Sequence, residues 1–172
     1  MAKARRPPPA RNPMHPTLKP DPDRKGSYHR RLDDIKKGLK AVDKSNMPIG
    51  GKFLFLYYGC EKLGKGIVGI APEWAADDAY GEDRSLHLHE LKPAAKKLNL
   101  GIPDATLDLL FTRSDKKSPR YWRNEIAHNF GPSNVDNVVK HSATMNKTMH
   151  DFLKTYTPPV LAYLKKNYTN VP

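Results

Sequence analysis

The chain has 172 residues, a formal net charge of +12 and one cysteine. That length suits one domain plus a tail, and a domain of roughly 150 residues buries about two-thirds of its unfolded surface, so it needs no covalent or metal staple. A single cysteine excludes an intramolecular disulfide and any four-cysteine or Cys/His zinc framework.

The charge is uneven. Residues 1–31 carry nine Lys and Arg against Asp21 and Asp23, while the remainder carries 21 against 16 acidic residues. A polyanion is the partner such a balance fits best, and nucleic acid is the commonest one. The tail fits a solubilising extension equally well. Residues 1–26 hold seven prolines from Pro7 to Pro22 and few large apolar groups. Proline removes a donor and restricts its predecessor, so this segment is expected to be disordered or extended, without a helix. The rest, 27–172, is expected to form a single helical domain.

Over residues 28–43, Leu32, Ile35, Leu39 and Val42 recur at three and four residues, which predicts a first helix. Residues 49–70 predict the main core helix, with Phe53, Leu56, Tyr57, Cys60, Leu63, Ile67 and Ile70 on one stripe. Gly59, Gly64, Gly66 and Gly69 lower its propensity but permit close approach of a neighbour. The run is also the most apolar in the chain, yet Glu61, Lys62 and Lys65 interrupt it, so no membrane span is expected. Pro7–Pro9 occupy the place where a signal peptide needs an apolar run. A cytoplasmic protein is expected, with Cys60 packed rather than reactive.

Residues 71–86 form an acidic insert without period, in which Trp74 and Tyr80 can anchor to the body. Leu88, Leu91, Ala95 and Leu98 predict a helix ending at Asn99 or Gly101, with Pro93 placing its start near Lys92. Pro103 and Asp104 open a short helix bearing Leu107, Leu110 and Phe111. The next helix has signals at both ends: Ser118 as N-cap, Pro119 at the first position, Gly131 as C-terminal cap and Pro132 beyond it. A long helix follows, striped by Val135, Val138, Val139, Met145, Met149, Phe152 and Leu153. Pro158-Pro159 is expected to break it before a terminal helix with Leu161, Leu164 and Tyr168. No segment alternates as a strand would. The expected fold is all-α, an antiparallel four-helix bundle with extra short helices.

The capped helix displays Arg123, Asn124 and His128. Asn124 and His128 share a face, whereas Arg123 and His128 stand about 140° apart and meet only through the long arginine stem. The set has the chemistry for metal-free RNA cleavage. A neutral histidine can take the 2′-hydroxyl proton. A permanently charged guanidinium can hold the phosphate oxygens as they gain charge. Asn124 can orient the imidazole or donate to phosphate. One histidine cannot serve as base and acid at once. By spacing alone, His128 is equally readable as a packed core or interface histidine, and Arg123 as the partner of Glu61 or Glu125. Lys116, Lys117 and Arg120, just before the motif, can meet RNA phosphates or simply form a solvated face.

Weaker patterns carry less. His87 and His89 with Glu90 would need a strand to converge on a metal. His141 and His150 have no acidic cluster nearby. Gly64-Lys65-Gly66 lacks the spacing and the ending of a phosphate loop.

The run Arg123-Asn124-Glu-Ile-Ala-His128, preceded by Tyr57-Tyr58-Gly-Cys-Glu61-Lys62-Leu-Gly-Lys65, resembles the HEPN superfamily over about residues 30–168. Its ribonuclease branches carry an arginine, a polar neighbour and a following histidine, and an aromatic–acidic–Leu–Lys pattern on an earlier helix. The resemblance implies a four-helix bundle whose homodimer joins two Arg-His motifs in one composite cleft, supplying both base and acid. It implies a metal-independent endoribonuclease without a cofactor, with Arg123, His128 and Asn124 catalytic and with Glu61 and Tyr121 in support. It also implies RNA as substrate and an antitoxin or other protein as a possible partner, in toxin–antitoxin, phage-defence or RNA-processing settings. Some members are catalytically silent binding modules.

Overall fold

A computed structural model describes residues 22–70, 88–112, 115–128 and 132–167, with side chains described over 32–70, 90–112, 115–126 and 136–167. The expectations for residues 1–21, for the acidic insert with Trp74 and Tyr80, for Gly131 and for Tyr168 lie outside the described residues. Every regular element described is helical: α1 Pro22–Lys44, α2 Ile49–Ile70, α3 Leu88–Lys97, α4 Asp104–Leu107, α5 Pro119–His128 and α6 Pro132–Asn167. α4 runs directly into a π-helical stretch, Asp108–Thr112. The result is an all-α helical bundle.

α2 is the central element and packs against α1, α3, α5 and α6. Its predicted stripe is buried throughout, from Phe53 to Ile70. Beyond the stripe, Gly64, Gly66, Val68 and Gly69 are buried as well, so the second half of α2 is enclosed on nearly every side. Glycine makes this possible where the helices come closest. A Cβ at Gly66 would lie 2.9 Å from Leu32 of α1, and one at Gly59 would lie 3.0 Å from Leu153 of α6.

The contacts fix direction. Leu32 meets Gly66 and Phe55 meets Gly38, so α1 runs antiparallel to α2. Gly50 meets Val139 and Gly59 meets Leu153, so α2 and α6 run parallel in direct contact. An alternating antiparallel order therefore does not describe the α2–α6 pair. α5 and α6 form a hairpin, with Trp122 opposite His141. One buried cluster joins Leu32, Ile35 and Val42 of α1, the α2 stripe, Leu91 and Leu98 of α3, Leu107, Leu110 and Phe111, Trp122, and the α6 residues Val138, Met145, Met149, Phe152 and Leu153. Each fully buried Leu, Ile or Phe contributes about 1.5–3 kcal/mol relative to an exposed one. Val139, expected on the buried stripe, is 43% exposed.

Three expectations about proline are corrected. α1 begins at Pro22, inside the segment expected to hold no helix. A proline in the first turn loses no intrahelical bond, because the N–H it lacks has no partner there anyway. α3 begins at Leu88 and carries Pro93 inside it. Its ring is exposed, while Leu91, Ala94, Ala95 and Leu98 bury the opposite face. The end of α3 follows expectation: Asn99 (φ 52°) and Gly101 (φ 65°) both take left-handed backbone. Finally, α6 continues through Pro158 and Pro159 to Asn167. The carbonyls these prolines leave without a helical donor belong to Lys154 and Thr155. All four residues lie on the exposed face, where water can satisfy them, while Thr157, Val160 and Leu164 are buried beneath.

Candidate active site

α5 starts as its sequence demands. Ser118 is fully buried, and its Oγ accepts from the Arg120 backbone N–H at 3.1 Å. The preceding turn is closed by Asp115, whose carbonyl accepts from the Ser118 N–H at 3.0 Å and whose carboxylate accepts from the Lys117 N–H at 2.9 Å. Trp122 fixes the helix on the body. It is 3% exposed, its Nε1 donates to the Lys116 carbonyl at 2.8 Å, and its ring stacks on His141 with centroids 5.4 Å apart. Tyr121 packs edge-on against Trp122 at 5.1 Å. Both aromatic residues thus brace the first turn, and Ile126 packs on the core one turn further along.

Arg123 and Asn124 are half-buried and joined to each other, with Arg123 Nη1 donating to Asn124 Oδ1 at 3.0 Å. The guanidinium lies over the Tyr57 ring of α2, 6.0 Å from its centroid. Burial pushes the Tyr57 phenol well above its ordinary range. The Glu61 carboxylate adds to that shift, and Arg123 and Arg120 oppose it. Tyr57, Glu61, Arg120, Arg123 and Asn124 therefore share one neighbourhood between α2 and α5.

The sequence-predicted residues divide. Arg123 and Asn124 are together, and Glu61 acts on the same Tyr57 phenol as Arg123 does. Lys116 and Lys117 are exposed in the turn that leads into α5. Arg120 is exposed too, but its Nη1 donates to the Phe111 carbonyl at 2.7 Å, tying α5 to the π-helical stretch. His128 closes α5, and its side chain lies outside the described residues, as do Ala127 and Phe130. His87 lies outside them, and so does the side chain of His89. Among the described residues no cluster of three His, Cys, Asp or Glu could hold a metal ion. None of the described helices is long and apolar enough to cross a membrane.

Two residues were not marked in the sequence as parts of this region. Tyr57 reads there as a core residue and as the aromatic that opens the Tyr57–Lys65 run of the resemblance, without a stated role at the site. His141 has no signal at all, because its approach to Trp122 depends on the α5–α6 hairpin. Cys60 is packed as expected: it is buried, and burial raises its thiol well above the usual range.

The chain matches no family model, no curated protein and no solved structure.

Proposed function

We propose that the chain is a metal-independent endoribonuclease of the HEPN type, cutting RNA by attack of its own 2′-hydroxyl. The observation that carries this reading is the Arg123–Asn124 pair, half-buried on α5 and seated over Tyr57 beside Glu61. A cation held by a ring and a side-chain amide loses little freedom when it meets phosphate, and preorganised donors are the main source of stabilisation for a phosphorane's charge. In this reading Arg123 binds the scissile phosphate, His128 moves the proton, and Asn124 orients one of them. Tyr121 and Glu61 support the helix, while Lys116, Lys117 and Arg120 guide RNA toward it. Two chains assemble as four-helix bundles about a composite cleft, so one His128 acts as base and the other as acid. The setting is cytoplasmic, in toxin–antitoxin or phage defence, with an antitoxin as protein partner.

RNA cleavage by wild type, His128→Ala and Arg123→Ala in excess EDTA tests the proposal, with folding checked by circular dichroism. Loss of cleavage in both variants, with 2′,3′-cyclic phosphate ends from wild type, is expected. Cleavage unchanged in both variants would sink the reading.

The second reading is a silent module that binds RNA, nucleotide or protein. It draws on the same pair, since an Arg123 already engaged with Asn124 and Tyr57 can serve purely to lock α5 on α2. It predicts RNA binding without cleavage, and folding defects rather than rate defects in Arg123→Ala.

A further inference from the structure

α2 turns an apolar face to solvent. Leu54, Phe55 and Tyr58 stand 43%, 48% and 58% exposed within little more than one turn. The outward face of a helix is ordinarily polar, and a cluster of large exposed apolar groups marks an interaction surface. Two of the three are aromatic, and both rings are held in place. The edge of the Phe55 ring fits against Gly38 of α1, where a Cβ would lie 3.2 Å from it. The Lys62 ammonium, one turn along α2, sits over the Tyr58 ring, 4.9 Å from its centroid. Both rings line an open groove of about 240 Å³, with Leu39, Leu56 and Leu153 among its other walls.

The walls are apolar, so what enters the groove must offer an uncharged face. The setting is cationic: Lys62 is fixed over Tyr58, and the chain carries a net +12. An occupant with flat aromatic faces on a negative backbone meets both conditions, and single-stranded nucleic acid is built that way. In a duplex the bases stack on one another, so rings on an outward helix face reach only unpaired bases. The location agrees. Tyr58 directly follows Tyr57, the ring beneath Arg123, and successive helical residues turn by about 100°. Asp34, the one carboxylate among the described groove residues, belongs to α1. It repels phosphate from that side, which leaves the side toward α5 and Arg123.

We propose that Tyr58 and Phe55 form a stacking platform for unpaired bases of a single-stranded RNA whose phosphates run toward Arg123. This rests on the RNA reading of the Arg123 site and names its substrate as single-stranded. Tyr58 takes one base on the ring surface that Lys62 leaves open. Phe55 takes a neighbouring base at the groove, and Lys62 meets a phosphate of the strand.

The test is a fluorescence-anisotropy titration of the full chain with 2′-O-methyl RNA of about 12 nucleotides, as a single strand and as a duplex. Such RNA has no free 2′-hydroxyl, so binding is read without cleavage. The single strand should bind more tightly. Tyr58→Ala and Phe55→Ala should each weaken single-strand binding at least about fivefold, whereas Tyr58→Phe should keep it. Duplex affinity should not change in the alanine variants. The salt slope should match wild type in Tyr58→Ala and fall by about one in Lys62→Gln. Both rings are exposed, and circular dichroism checks that the variants fold. Wild-type affinity for the single strand in folded Tyr58→Ala would overturn the proposal, as would an equal loss on duplex or no single-strand binding by wild type. A lower mass by light scattering in Tyr58→Ala, at unchanged RNA affinity, would also overturn it and assign the face to a second copy of the chain. Tyr58-dependent binding without cleavage of ordinary RNA would leave the platform standing and remove the ribonuclease reading alone. Cleavage that needs His128, with binding indifferent to Tyr58, would do the reverse.

Discussion

The Arg123 guanidinium rests over the ring of Tyr57, 6.0 Å from its centroid. The most prominent cation of α5 is thereby set against the central helix of the bundle. Tyr57 is 4% exposed, so this support is part of the core and does not move independently of it.

If Arg123 serves catalysis, the ring beneath it is a positioning group. Arg123→Lys, which keeps the charge but loses the planar fork, should lower single-turnover RNA cleavage by about 10²–10³. Tyr57→Phe should cleave like wild type because the ring remains. Tyr57→Leu should lose about tenfold in rate, as expected for a misplaced donor. Equal rates in Tyr57→Leu and wild type, both folded, would show that the ring does not position the cation.

Alkaline pH should destabilise the protein. Burial raises both the Tyr57 phenol and the Cys60 thiol in the folded state, with Glu61 adding to each. Their neutral forms are therefore favoured by folding. That contribution is complete below the unfolded-state values, roughly 8.5 for a thiol and 10 for a phenol, and is lost as pH rises toward the folded-state values. Each group costs up to about 1.4 kcal/mol per pH unit across its window. Urea midpoints should hold steady from about pH 7 to 8 and fall above about pH 9, with a shallower fall above about pH 10 in Tyr57→Phe. A midpoint that rises with alkalinity would contradict the assignment.

The contact between Gly66 and Leu32 should be intolerant of bulk. A Cβ at Gly66 would lie 2.9 Å from Leu32 Cδ2, and Leu32 is 1% exposed and enclosed by its neighbours. Gly66→Val is expected to cost about 1–3 kcal/mol by overpacking. Leu32→Ala should cost about 2–5 kcal/mol by leaving a cavity. Because the valine would occupy part of that cavity, the double variant should be more stable than the sum predicts by about 0.5–3 kcal/mol. Chemical denaturation of all four proteins checks this, and strict additivity would place the two residues out of contact.

Pro159 should be dispensable. It is exposed on α6, and its ring removes a bond that the Thr155 carbonyl would otherwise receive. Pro159→Ala should stabilise the protein by about 1–3 kcal/mol, the helical gain offset in part by a freer unfolded chain. A lower thermal midpoint in the alanine variant would mean that the proline ring packs on something it does not touch here.

Much of the fold was legible in the sequence. The periodicity that marks α2 from Ile49 to Ile70, the Ser118 cap that starts α5 and the Asn99–Gly101 stop that ends α3 all act within a turn or two of chain. A reader of the sequence therefore has every interacting group in view. The adjacency of Arg123 and Asn124 was likewise legible, as was burial of Cys60. The sequence misled where local preference met tertiary packing. Pro158 and Pro159 signal a break, yet burial of Thr157, Val160 and Leu164 on the opposite face carries α6 past them. Val139 fits the apolar stripe, yet it stands 43% exposed, set against Gly50, which has no side chain to cover it.

Only the tertiary structure decided which side chains meet across elements. Tyr57 and Arg123 are 66 positions apart in the chain, and Asp43 and His150 are 107 apart. Their meeting depends on the parallel run of α6 beside α2 and on α1 lying antiparallel to both. Helix formation is read from bonds that span four residues, whereas direction and register come from how whole apolar faces fit together. The local signals alone contain no term for that fit.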